Sequence, residues 1–131
     1  MNLTKTFYEK LFFYGAIWNF LIASSLGMGY KYIFPFLGMK TPTISLYLIL
    51  ALFYVFVLGL GYLWVSQNLD KNHGIVQMGI VAKLGTVIVI IWGCFFTRDL
   101  SPFFLITGIG DFIFTIFFIR FLGEYNKIKP T

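Results

Sequence analysis

Charge is what this sequence has least of. Asp, Glu, Lys and Arg make up 11% of its 131 residues, where a soluble globular domain carries about 25%. So few charges cannot cover a globular surface in water. Cysteine is nearly absent too. A single residue, Cys94, excludes an intrachain disulfide and a CxxC redox pair and reads as a small buried hydrophobe. One histidine, His73, excludes a bis-His haem held within one chain. No set of carboxylates, imidazoles and thiols has the spacing of a metal site. Gly59-Leu60-Gly61 has neither the pattern nor the context of a phosphate-binding loop.

What is abundant is apolar. Hydrophobic residues reach 59% and aromatics 21%, with 17 phenylalanines, a composition suited to lipid contact. The net charge of +5 does not point to nucleic acid, because the basic residues sit at the ends of apolar runs and form no single patch. That is the distribution of topology signals and headgroup contacts.

Four apolar runs are long enough to cross a bilayer as helices, each about 20 residues. The spacing predicts helices over about 10–28, 42–66, 73–96 and 102–122, all within one integral membrane domain covering 1–131. The expected fold is all-α, a transmembrane four-helix up-down bundle with an interfacial segment between helices 1 and 2. That segment, GYKYIFPFLGMKTPT at 29–43, interleaves aromatics with Lys31 and Lys40, and Pro35 and Gly38 argue against one regular helix there. Thr41 and Pro42 read as the start of helix 2, and Ser101 or Asp99 with Pro102 as the start of helix 4. The polar turn QNLDKNH at 67–73 makes helices 2 and 3 antiparallel neighbours, with His73 solvated at the membrane surface. Lys5 and Lys10 precede a first run that is long for a signal peptide and holds Asn19, so it reads as an uncleaved helix.

Orientation follows from Lys and Arg. Lys5, Lys10, Lys71, Arg120, Lys127 and Lys129 lie on one side, and Lys31, Lys40 and Arg98 on the other. Both termini are expected in the cytoplasm, in a bacterial inner (plasma) membrane.

The remaining basic residue is the anomaly. Lys83 stands in the middle of GIVQMGIVAKLGTVIVIIWGCFF. A lone ammonium at the bilayer centre costs about 2.5–3.5 kcal/mol on insertion scales, so a partner is required. The sole carboxylate inside another apolar run is Asp111. It lies about nine residues into helix 4, roughly 13 Å deep at 1.5 Å per residue, and Asn19 is equally deep in helix 1. Asn19, Lys83 and Asp111 can therefore meet at mid-depth. The Asp–Lys pair keeps net charge out of the low dielectric and Asn19 takes up remaining donors. Thr86, Thr107, Thr115 and Tyr62 are placed to extend the network. With Trp18 and Tyr62 these residues define a candidate ligand-binding set: Lys83, Asp111, Asn19, Trp18 and Tyr62.

Intramembrane ionisable groups are functional candidates by default. The occupant considered is a small lipophilic molecule such as a quinone, a sterol-like species or another lipid. No catalytic motif is present, so the reading is of a non-enzymatic binding or accessory subunit, alone or in a homodimer or larger membrane complex. Two alternatives stand beside it. Buried polar groups also fix helix register in a structural or scaffold subunit without any ligand. A proton-coupled small transporter wants a longer chain of titratable groups, and the helix-1 glutamate of small multidrug transporters is replaced here by Asn19.

Four stretches give the chain a resemblance to the DoxX-like group of small four-helix membrane proteins. They are Gly-Leu-Gly-Tyr closing helix 2, QNLDKNHG, GIVAKLG in helix 3 and GDFIF in helix 4, and the similarity spans about residues 10–122. It implies the same four-helix fold, and association with quinol oxidation or redox partners as in some members of that group. It carries no site motif onto particular residues.

Overall fold

Helix 1 is set by its two ends. The hydroxyl of Thr4 accepts from the Phe7 N–H at 3.1 Å, an N-cap that satisfies one of the orphan donors of the first turn. At the other end Gly38 takes a left-handed φ of 74°. The Met39 N–H reaches the Phe34 carbonyl at 2.8 Å and the Gly38 N–H reaches that of Pro35 at 3.0 Å, the paired bonds of a Schellman stop. Between these caps α1 runs Lys5–Phe36, 32 residues, or about 48 Å at 1.5 Å per residue. The computed structural model describes residues 3–128, and the side chains of residues 3–125. Lys129, counted above for orientation, lies outside them.

The interfacial segment expected at 29–43 is thus corrected in extent. Residues 29–36 continue α1, and only 37–44 form a separate connection. Pro35 is accommodated because it falls in the last turn, where one missing N–H and a ring facing the preceding turn disturb little of the helix. Tyr30 and Phe34 turn inward while Tyr32 and Phe36 stay exposed. The start of helix 2 is corrected as well. α2 spans Ser45–Gln67 with Ile44 at the cap position and no side-chain cap, so Thr41 and Pro42 lie outside it.

α3 spans His73–Ile91 and widens into a π-helical turn over Trp92–Phe96. Arg98, at φ 57°, ends the run as expected. The Ser101 hydroxyl then accepts from the Phe103 N–H at 3.2 Å, and Pro102–Phe104 make a short 3₁₀ turn leading into α4, Leu105–Ile128. α4 is longer than the pattern predicts. Its last turns hold Glu124 and the buried Tyr125.

All four helices are long and apolar enough to cross a membrane. Their outer faces carry large exposed apolar side chains such as Leu46, Tyr47, Met78, Val81, Ile88 and Ile106. An apolar girdle on every helix is a lipid-facing surface and would be a severe liability in water. The chain is an all-α integral membrane bundle.

Backbones approach most closely within two hairpins, α1 with α2 and α3 with α4. Large rings join the hairpins at the end that holds both termini. Phe12 stacks on Phe118 at 4.7 Å, Tyr62 meets Phe118 edge-on at 5.1 Å, and Tyr8 meets Phe121 at 5.1 Å. The Tyr8 hydroxyl donates to Glu124 at 2.9 Å, and Arg120 donates to the same carboxylate at 3.0 Å. The solvated position expected for His73 is also corrected. Its Nε2–H donates to the Leu69 carbonyl at 2.7 Å, and the ring packs edge-on against Tyr125 at 4.5 Å. The turn is short enough to fold the imidazole back under the bundle.

Two glycines set how near the rings come. A Cβ on Gly79 would stand 2.7 Å from the Tyr62 ring and hydroxyl, and one on Gly110 would overlap the Trp18 indole. Gly85 faces open space. Gly79→Val and Gly110→Val should each destabilise the detergent-solubilised protein by about 1–3 kcal/mol through overpacking. Gly85→Ala should leave the melting temperature unchanged or raise it. Thermal unfolding followed by circular dichroism checks all three.

Candidate functional site

The polar residues of three helices converge at mid-depth. Lys83 from α3 places its Nζ 2.7 Å from Asp111 Oδ1 on α4 and donates to Asn19 Oδ1 on α1 at 3.2 Å. Asn19 turns its own amide to the Val55 carbonyl of α2 at 3.0 Å. Gly59, one turn further along α2, lacks the side chain that would keep Asn19 away. Trp18 adds a second donor to Asp111 Oδ1 through Nε1 at 3.2 Å. Lys83, Asp111 and Asn19 are 4%, 6% and 5% exposed, so this is a charge pair inside the bundle. It is the partnership that the position of Lys83 demands.

The ammonium is further enclosed by two ring faces, with Nζ 5.4 Å from the centroid of Tyr62 and 5.3 Å from that of Phe114. Both lie within cation–π range. Tyr62 and Trp18 are each seated on a glycine beside the charged residue they serve. Tyr62 lies over Gly79, one turn before Lys83, and Trp18 lies against Gly110, next to Asp111.

The structure therefore brings together all five residues of the candidate set. The threonines behave otherwise. Thr115 donates to the Asp111 backbone carbonyl at 2.7 Å, and the exposed Thr86 donates to that of Ala82 at 2.9 Å. Both follow the back-bonding habit of Thr in helices and neither extends the carboxylate network. The role of the Val55 carbonyl and the Phe114 face under Lys83 were not anticipated. Phe114 follows Asp111 by three residues, a spacing that does put both on one helix face. The Val55 carbonyl leaves no trace in residue type.

One group in the centre is unsatisfied. The Tyr62 hydroxyl is fully buried and has no hydrogen-bond partner among the described residues. Lys83 carries three N–H donors, and its two acceptors are Asp111 and Asn19. The Tyr62 hydroxyl itself is closed over against Gly79, while Tyr62 and Lys83 are among the residues lining a cavity of about 70 Å³, with Asn19, Ile22, Leu58, Thr107 and Asp111. That is room for roughly two waters. Beyond Ile22 and Thr107 lies an apolar groove of about 330 Å³ between α1 and α4. The arrangement is a small neutral cavity with the Lys83–Asp111 pair in a largely apolar wall, next to a lipid-facing groove.

Fold and centre together define a small multi-pass membrane protein built round a buried Lys–Asp pair. Comparison with known protein families, with characterised proteins and with solved structures finds no match to this chain.

Breaking such a pair leaves one uncompensated charge, which costs about 3–5 kcal/mol. Lys83→Met and Asp111→Asn should each lower stability by about that amount, and the double variant should recover most of it. Thermal melts of the three variants in one detergent check this. Additive losses in the double variant would contradict the pairing.

Proposed function

We propose that this protein binds a small lipophilic molecule at the Lys83–Asp111 centre, by itself or as an accessory subunit of a membrane complex. Lys83 and Tyr62 touch the polar head of the ligand. Asp111, Asn19 and Trp18 hold the ammonium in place and keep the site neutral. The observation that carries this reading is the cavity lined by Lys83, Asp111 and Tyr62 inside the bundle, together with the buried, unpartnered hydroxyl of Tyr62. An unmade buried hydrogen bond costs about 1–3 kcal/mol, and a ligand oxygen removes that cost. A scaffold role is favoured by the mutual pairing of Lys83, Asp111, Asn19 and Trp18. It does not by itself account for the cavity left beside the pair.

Kinship with the DoxX-like group is part of the proposal, resting on the Gly-Leu-Gly-Tyr, QNLDKNHG, GIVAKLG and GDFIF stretches. So is a bacterial inner membrane with both termini in the cytoplasm, resting on the six-to-three division of Lys and Arg between the two ends.

Mass spectrometry of the protein purified in mild detergent should find a lipophile near stoichiometric with the chain. Tyr62→Phe should reduce its occupancy about three- to tenfold, the worth of one hydrogen bond, with an unchanged or higher melting temperature. Wild-type protein that folds and carries nothing but bulk detergent and lipid, with Tyr62→Phe indistinguishable from it, would leave the scaffold reading. Orientation is tested separately. Reporter fusions at either terminus should be active only when the reporter works in the cytoplasm, and inversion should require moving Lys residues to the 37–44 connection.

A further inference from the structure

The pocket and groove around the centre narrow the chemistry of the ligand. We infer that the ligand is a neutral single-chain lipid alcohol. Its hydroxyl sits beside Lys83 and Tyr62, and its tail leaves between Ile22 and Thr107 to lie in the groove between α1 and α4. This rests on the reading above, that Lys83 and Tyr62 receive a lipophile.

Charge sets the first limit. Lys83 and Asp111 sum to zero and are paired at 2.7 Å. A carboxylate or phosphate head would add an uncompensated negative charge in a low-dielectric chamber, which is strongly disfavoured. Size sets the second. The chamber of about 70 Å³ accepts about two heavy atoms with their hydrogens, the volume of roughly two waters. A glycerophosphate head and a six-membered ring bearing two carbonyls are both larger. Hydrogen bonding sets the third. A ligand hydroxyl accepts from the remaining N–H of Lys83 and donates to the Asp111 carboxylate, whose bonds from Trp18 and Lys83 both fall on Oδ1.

The route follows from shared walls. Ile22 and Thr107 line both the chamber and the groove of about 330 Å³. The groove continues past Leu26 and Ile33 to Phe36 and Phe103. From Ile22 to Phe36 is about 21 Å along α1 at 1.5 Å per residue. Tail and groove therefore run from mid-depth to the membrane face opposite the termini. The α3–α4 groove of about 280 Å³ and the α1–α2 groove of about 260 Å³ share no residue with the chamber. The dent at Met78 and Val81 touches it only at Ala82 and is walled by α3 alone.

The test is photolabelling of the full chain in phosphatidylcholine nanodiscs with hexadecan-1-ol carrying a tail diazirine. Saturable labelling is expected near Ile33, Phe36 and Phe103. Excess hexadecan-1-ol should compete. Hexadecanoate at pH 8, phosphatidylglycerol and an isoprenoid benzoquinone should not. Thr107→Trp, which narrows the exit, should cut the labelling about tenfold or more, equivalent to one decade in affinity. Ile22→Trp serves where that variant does not fold, and the wild-type label map decides the route in either case. Competition by hexadecanoate, by phosphatidylglycerol or by the quinone overturns the alcohol head while the binding site stands. Saturable labelling at Val87 and Phe112 overturns the route and likewise spares the site. Non-saturable labelling over every lipid-facing helix, insensitive to Tyr62→Phe, overturns this inference and the proposed function together.

Discussion

An ammonium cannot stay unpaired in hydrocarbon, and the bundle is arranged around that constraint. Lys83 finds Asp111 at 2.7 Å and Asn19 at 3.2 Å. Satisfying it draws α1, α3 and α4 to one point. The Asn19 amide then reaches the Val55 carbonyl, so α2 is tied to the same centre. A purely apolar contact between helices in lipid gains little, because lipid tails are as apolar as leucine. The polar contacts are directional and have few alternative partners here. They specify which faces meet and at what depth, a registry role well attested for buried polar groups.

Packing on the two sides of this centre differs. Toward the termini, Phe12, Phe118, Phe121, Tyr8 and Tyr62 interleave as a cluster of rings with little exposure, closed at the surface by the Tyr8–Glu124–Arg120 contacts. Toward the other end Phe34 meets Phe104 edge-on at 6.4 Å, and an apolar groove lies between α1 and α4. The base is tightly filled, whereas the far end keeps this groove. The glycines serve the same geometry. Gly79 and Gly110 admit Tyr62 and Trp18, so the Tyr62 ring faces the ammonium and the Trp18 indole N–H reaches the carboxylate.

Much of this was legible in residue order. Four runs of spanning length, a lysine in the third and one carboxylate at matching depth in the fourth leave few ways to bury the charge. Asn19, Lys83 and Asp111 follow from depth counting, whereas spacing alone does not single out Trp18 and Tyr62. Helix ends were less legible. Gly38 reads as a breaker and is one, but Pro35 reads the same way and is absorbed, because proline disturbs a helix less in its final turn than at its middle. His73 reads as a loop residue, yet Leu69, Phe121 and Tyr125 enclose it. That contact joins residues far apart in the chain, which local pattern cannot register. The threonines at 86 and 115 are satisfied by carbonyls of their own helices, a choice that spacing leaves open.

Hydropathy and the depth of three polar residues by themselves determined that this chain spans a membrane four times and must pair Lys83 with Asp111. Both follow from the cost of charge and of bare peptide groups in hydrocarbon, which depends on composition and helical rise and little on neighbours. Tertiary structure alone decided that the Tyr62 hydroxyl stays unpartnered and that a small chamber and a neighbouring groove share Ile22 and Thr107 as walls. Such features depend on side-chain direction and on gaps between helices. They arise where four surfaces fail to fill the space between them, and no single helix carries the information.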